Sequence, residues 1–214
     1  MPSSFAAALR FVTALLILIS IVWQITDRLL HNLFRPGEYF AYFTIQSSMI
    51  AAVALAVTGW FAATKQRETR TLSLVRLSVA CFASVTGIVY NALLRGMPPV
   101  AADAGYNWPV PPNEILHVWA PILIALDFVV FAPPVLLKLR AGIWVWAFPL
   151  AWAIFSVIRG LATGWWPYWF INPTGPAGVP GMLEYVFGIM VFLFLLSVIF
   201  LGLTRLRTRV WNRA

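Results

Sequence analysis

The run FVTALLILISIVWQI at residues 11–25 has no charged side chain and only Thr13, Ser20 and Gln24 as polar interruptions. Continued into its apolar flanks as a helix rising 1.5 Å per residue, it is long enough to cross the hydrocarbon core of a bilayer, about 30 Å. The residues that follow, TDRLLHN, contain no small-residue cleavage pattern, so the run reads as a retained first span and not as a cleaved signal. Working outward from this span of about 8–26, similar runs recur at 39–63, 72–94, 114–137, 141–163 and 181–203, separated by polar, Gly or Pro punctuation. The expected fold is all-α: one polytopic domain over 1–214 with six transmembrane helices. No alternation of the kind that builds a membrane barrel is present.

Composition agrees. The chain is 61% hydrophobic and 10% charged with a mean hydropathy of +0.84, whereas soluble domains are about 45–50% apolar and 25% charged. Six helices and their loops use nearly all 214 residues, leaving no soluble domain. The lone Cys81 rules out an intramolecular disulfide and zinc-finger frameworks.

A net charge of +8 would point to nucleic acid in a soluble protein, but here its distribution gives a topological reading. Arg10, Lys65, Arg67, Arg70, Arg76, Lys138, Arg140, Arg205, Arg207, Arg209 and Arg213 lie at one set of span ends, against Arg28, Arg35 and Arg95 at the other. By the positive-inside rule both termini are cytoplasmic, and no nucleic-acid partner is needed. Arg10 and Arg76, near those ends, are expected to snorkel. The opposite connections are longer. Residues 95–113 hold five prolines, and GWWPYWFINPTGPAGVP at 164–180 holds four prolines, three tryptophans and no charge. This second loop reads either as an aromatic interface anchor or as a lid over a lipid-accessible pocket. No internal repeat supports an inverted-repeat transporter.

Polar groups within spans are costly and mark candidate sites. Counting rise per residue places Thr44, Asn91, His117, Arg159 and Glu184 within one or two turns of the outer surface, although they come from five different spans. Asp127 lies deeper, toward the cytoplasmic side, where it is expected to pair with a nearby cation or to hold a helix contact. By helical azimuth, Thr44, Ser47 and Ser48 share a face and Gln46 points away from them; Gly87, Asn91 and Arg95 align, as do Glu114, His117 and Pro121, and Ser156, Arg159 and Thr163. Bland roles compete at each position. Thr44 can bond its own backbone, Glu114 and Glu184 can favour helix N-termini, and Ser156, Gly160 and Gly164 follow the small-residue spacing of close helix contacts. His117 is the only histidine in a span. With His31 in a loop there is no opposed partner for haem, and no metal set is furnished, so no cofactor or metal is expected. Structural hydrogen bonding and general-base chemistry remain open for His117.

The strings YFTIQS at 42–47, GIVYN at 87–91, LHVWAP at 116–121 followed by Leu126 and Asp127, and RGLATGWWPYWF at 159–170 resemble, in order and spacing, a bacterial six-helix group known as Pr-six-Pr membrane proteins. That group in turn looks like a distant relative of the eukaryotic androgen-induced-gene-one and androgen-dependent TFPI-regulating proteins, multi-pass hydrolases of fatty acid esters of hydroxy fatty acids. The loop text FINPTG departs from the acidic ending of the bacterial group. The resemblance implies a cell-membrane hydrolase acting on a small lipid ester in the outer half of the bilayer, with Thr44 as nucleophile and His117 as base. It further implies transition-state or substrate support from Asn91, Arg159 or Gln46, and orientation of His117 by Glu114. A non-catalytic lipid-binding protein or a small-solute transporter fits the same spans. The first requires no Thr–His contact, and the second requires a polar route from the outer layer to Asp127.

Overall fold

The computed structural model describes residues 3–98, 103–135 and 137–211, with side chains through Arg207 in the last helix. The described residues are helical and contain no strand. Six helices are long and apolar enough to cross a membrane: α1 Ser3–Leu30, α2 Phe43–Ala63, α3 Arg70–Leu94, α4 Val110–Val130, α5 Leu139–Thr163 and α6 Gly178–Trp211. This is the architecture of a multi-pass membrane protein, and six crossings bring both termini to one end of the bundle. The solvent it is built for shows on its surface. Leu183, Phe187, Val191, Leu195, Ile199 and Leu203 of α6, spaced four residues apart, are all exposed. A stripe of that size is a liability in water and suits hydrocarbon.

The interior forms around α3, which packs on α2, α4, α6 and the first turns of α5, while α1 packs on α2 and α4. Leu77, Ala80 and Cys81 of α3 are fully buried, as are Ile17 of α1 and Leu193 of α6. Thr69 caps α3 by accepting the Leu72 N–H at 3.2 Å. Gly164 ends α5 with a left-handed φ of 71°, which glycine adopts without penalty.

The first span is longer than read, Ser3–Leu30 against 8–26, and three further differences bear on the site. The second span begins at Phe43 and not at 39, because Pro36–Tyr39 forms a separate single turn. The fourth occupies Val110–Val130 and not 114–137: it starts on the prolines at 111 and 112, suited to a first turn, and stops before Pro133 and Pro134. Helix α6 begins at Gly178, which moves Glu184 out of the first turn and away from any capping role.

At the termini end, Arg10 and Arg76 do not snorkel. They are 2% and 5% exposed and meet Glu68 and Asp127 in a closed four-charge cluster. Arg10 Nε donates to Asp127 Oδ1 and Arg10 Nη1 to Glu68 Oε1, both at 2.9 Å; Arg76 bonds Glu68 Oε2 at 3.0 Å and Asp127 Oδ2 at 2.8 Å. Arg10 also donates to the Thr58 carbonyl, and Arg76 to the Phe131 carbonyl released where α4 ends. Asp127 thus has the cationic partners expected of it. Snorkelling fails because two carboxylates from other segments offer each guanidinium a charge-assisted bond inside the bundle.

Candidate functional site

At the opposite end two adjacent helices widen into π-turns, at Tyr90–Leu94 in α3 and Ile115–Trp119 in α4. Pro121 accounts for the second. It offers no N–H to the His117 carbonyl four residues earlier, and its ring crowds that carbonyl. Gly87 lets the two helices close at this level, since a Cβ there would stand 3.2 Å from both the His117 carbonyl oxygen and Pro121 Cβ.

The widened turn aims His117 across the bundle. Its Nδ1 lies 2.9 Å from the Asn113 carbonyl, which only accepts, so the ring proton belongs on Nδ1. Nε2 is left with its lone pair outward, 3.3 Å from Thr44 Oγ1. Tyr90 stacks on the imidazole with ring centroids 4.0 Å apart and planes at 26°. Asn113 Nδ2 donates to the Tyr90 hydroxyl at 2.6 Å, so a single residue holds both rings. Thr44 itself is 7% exposed, in the first turn of α2. Its hydroxyl meets His117, unlike those of Thr13, Thr58 and Thr163, which donate to the carbonyl four residues back in their own helices. The helix start explains the difference, since no helical turn precedes Thr44.

Tyr168, from the loop after α5, closes over this point. Its phenol faces the Thr44 hydroxyl and the backbone N–H groups of Phe43 and Thr44; burial pushes the phenol pKa up, and those donors oppose the shift. First-turn N–H groups lack helical partners, and the residue preceding the turn, Tyr42, supplies no side-chain cap. Thr44 sits where two spaces meet. One is a vestibule of about 600 Å³ bordered by Tyr42, Asn113, His117 and Trp165, and the other a narrow apolar slot bordered by Phe43, Val85, Trp152, Phe170 and Met190. Tyr90 and Tyr168 border both.

The loop at 164–172 roofs the vestibule through Trp165, Trp166, Pro167, Tyr168, Trp169 and Asn172. The small residue Gly160 serves this roof and not a helix crossing: a Cβ there would overlap the Trp166 ring. Trp152 Nε1 donates to the Ala41 carbonyl at 2.9 Å, tying α5 to the chain entering α2.

The other candidates are placed differently. Gln46 donates to the Phe40 carbonyl at 2.8 Å, pointing away from Thr44 as its azimuth predicts. Asn91 Nδ2 donates to the Gly87 carbonyl at 2.7 Å, and its oxygen accepts from Arg95. Glu114 pairs with Arg95 at 2.8 Å, so the Asn113 carbonyl, and not Glu114, holds His117. Arg159 lays its guanidinium over Trp165, 4.5 Å from the ring centroid, behind the roof and outside the residues bordering the vestibule. Asp127 is locked in its ion cluster, and Ile17, Leu116 and Ile124 are buried between it and the site. Sequence reasoning missed Tyr90, Asn113 and Tyr168. The available signal was Pro121, four residues after His117, which foretells a distorted turn and a changed azimuth.

Fold and site together define a six-helix membrane bundle with a threonine–histidine pair at one end, between an apolar slot and a polar vestibule. The chain has no match among protein-family models, curated proteins or solved structures.

Proposed function

We propose that this protein is a cell-membrane hydrolase of lipid esters, with Thr44 as nucleophile and His117 as general base. The reading rests on the 3.3 Å approach of Thr44 Oγ1 to His117 Nε2, with Nδ1 engaged by Asn113. A hydroxyl needs a base within hydrogen-bond reach to attack an ester. In the proposed reaction Nε2 takes the Thr44 proton and Oγ1 bonds to the ester carbonyl carbon. The tetrahedral adduct then collapses, and the leaving alcohol takes the proton from His117. Water, deprotonated by the same nitrogen, attacks the acyl-threonine; the bond to Thr44 Oγ1 breaks, Oγ1 takes the proton from His117, and the acid is released. The carbonyl oxygen requires donors as it becomes negative. The N–H groups of Phe43 and Thr44 serve once Tyr168 yields its place, with the acyl chain in the apolar slot.

The same proposal includes cytoplasmic termini, supported by the eleven basic residues at that end, and therefore a site in the outer half of the membrane. It also includes kinship with the Pr-six-Pr and androgen-induced-gene-one groups, supported by the four motifs. The test is turnover of branched fatty acid esters by purified protein. Thr44→Ala and His117→Ala are each expected to lower it by on the order of a millionfold, the scale lost when the nucleophile or base of such a unit is removed. A fluorophosphonate probe is expected to label wild type and not Thr44→Ala. Undiminished turnover in both variants would sink the mechanism.

A further inference from the structure

Apart from the Thr–His pair, the vestibule contains a charge arrangement that hydrolysis does not use. Arg28, in the last turn of α1, borders the space with its guanidinium 4.0 Å from the Trp108 ring centroid and 4.9 Å from that of Tyr39. Its one hydrogen bond among the described residues goes to the Gln24 carbonyl of its own helix at 3.2 Å. The surrounding carboxylates are engaged elsewhere. Asp27 accepts from Tyr106 and lies near His31, while Glu38 and Asp103 both bind Arg35. Arg28 therefore keeps planar N–H donors for a ligand. Asp103 borders the same vestibule, within electrostatic range of Arg28, and the Arg35 bond occupies only one of its oxygens.

The charge balance narrows the ligand. Arg28 and Asp103 border the vestibule, one charge of each sign, while Asp27, Arg35 and Glu38 lie outside its border. A simple anion on Arg28 would stand against Asp103, and a simple cation would compete with Arg28 for the aromatic walls. A zwitterion satisfies both sides. Its phosphate takes the bidentate contact that a guanidinium favours. Its ammonium lies against the aromatic rings and the Asp103 oxygen that has no partner among the described residues. A primary ammonium donates hydrogen bonds to that oxygen, whereas a quaternary one has none to donate.

We propose that the vestibule is a binding site for the headgroup of an ethanolamine phospholipid, with phosphate on Arg28 and ammonium toward Asp103. This site stands independently of hydrolysis, and the test keeps them separate by using the full-length Thr44→Ala protein in detergent micelles. Native mass spectrometry reads binding of phosphatidylethanolamine, phosphatidylcholine and phosphatidylglycerol with identical acyl chains, and of free phosphoethanolamine. Phosphatidylethanolamine is expected to bind about tenfold more tightly than phosphatidylglycerol, with phosphatidylcholine between, as charge-assisted pairing implies. Arg28→Gln should lose about tenfold in that affinity, and Arg28→Lys, which keeps charge without the fork, should lose less. Asp103→Asn, where Arg35 still keeps Glu38, should erase the preference over phosphatidylglycerol. Thermal melting in the same micelles identifies any variant that fails to fold, and Asp103→Asn then carries the test. Equal or tighter phosphatidylglycerol binding by the Thr44→Ala protein with Arg28 and Asp103 intact overturns the proposal, as does unchanged lipid affinity in folded Arg28→Gln and Asp103→Asn. Displacement of the lipid by an equal concentration of phosphoethanolamine overturns the lipid as the source of the headgroup.

Discussion

The two ends of the bundle treat polarity in opposite ways. At the termini end, Arg10, Glu68, Arg76 and Asp127 satisfy one another in a closed, neutral cluster. At the other end, several polar groups keep hydrogen-bonding capacity beside a cavity. Thr44 faces a base, the Tyr168 phenol lies toward the N–H groups of Phe43 and Thr44, and Arg28 has stacking partners and no ion pair among the described residues. Matched charges in a low-dielectric interior hold helices in register and leave no unpaired charge. Polar groups with capacity to spare, beside a cavity, are what a reaction or a headgroup can use.

This contrast can be broken by substitution. Beyond the loss of turnover expected at Thr44 and His117, the largest effect belongs to the closed cluster. Asp127→Asn removes one carboxylate from between two buried guanidinium groups and should cost about 3–5 kcal/mol, the range for breaking a buried pair. Thermal melting in micelles checks it, and a melt equal to wild type would mean that the cluster does not hold the bundle. At the site end the expectation reverses, toward loss of activity with little loss of stability. Gly160→Ala forces the Trp166 ring off α5 and disturbs the roof. Turnover should fall by about tenfold or more, since small misplacements in a site are costly, while the six-helix core keeps its melting temperature. Tyr90→Phe retains the ring stacked on His117 and loses the Asn113 bond. It should lower kcat by about two- to tenfold, the worth of one hydrogen bond, with KM little changed, and Tyr90→Leu should lose more. The smallest effect is at Glu114. Its pair with Arg95 is exposed and touches no reacting group, so Glu114→Gln should leave both turnover and melting where they were. A large loss there would restore Glu114 as the group orienting His117.

Much of the fold is legible in one dimension because transfer into hydrocarbon depends on local composition. Hydropathy located all six helices, and rise per residue brought Thr44, Asn91 and His117 to one level. Azimuth correctly turned Gln46 away. The same method misplaced the end of α4, where an apolar tail continues past Val130 but Pro133 and Pro134 forbid a helix. It also sent Arg10 and Arg76 toward water, because a single span does not reveal carboxylates on other segments. In the site, Asn91 and Glu114 have the right depth but the wrong partners. Two π-turns rotate their neighbours relative to an ideal helix, and Arg95 claims both side chains.

What the sequence determined by itself was the number of crossings, the layer in which the scarce polar groups gather, and the asymmetry of basic charge between the two ends. These follow from hydrophobic length and charge, which each segment carries alone. Packing, by contrast, brings Thr44 to His117 across 73 positions of chain and Arg10 to Asp127 across 117. It also leaves Arg28 facing a vestibule without an ion partner among the described residues. Such pairings depend on the rotation of each helix about its own axis and on which helices are neighbours. Proline-widened turns and close glycine contacts set both, and hydropathy does not record them.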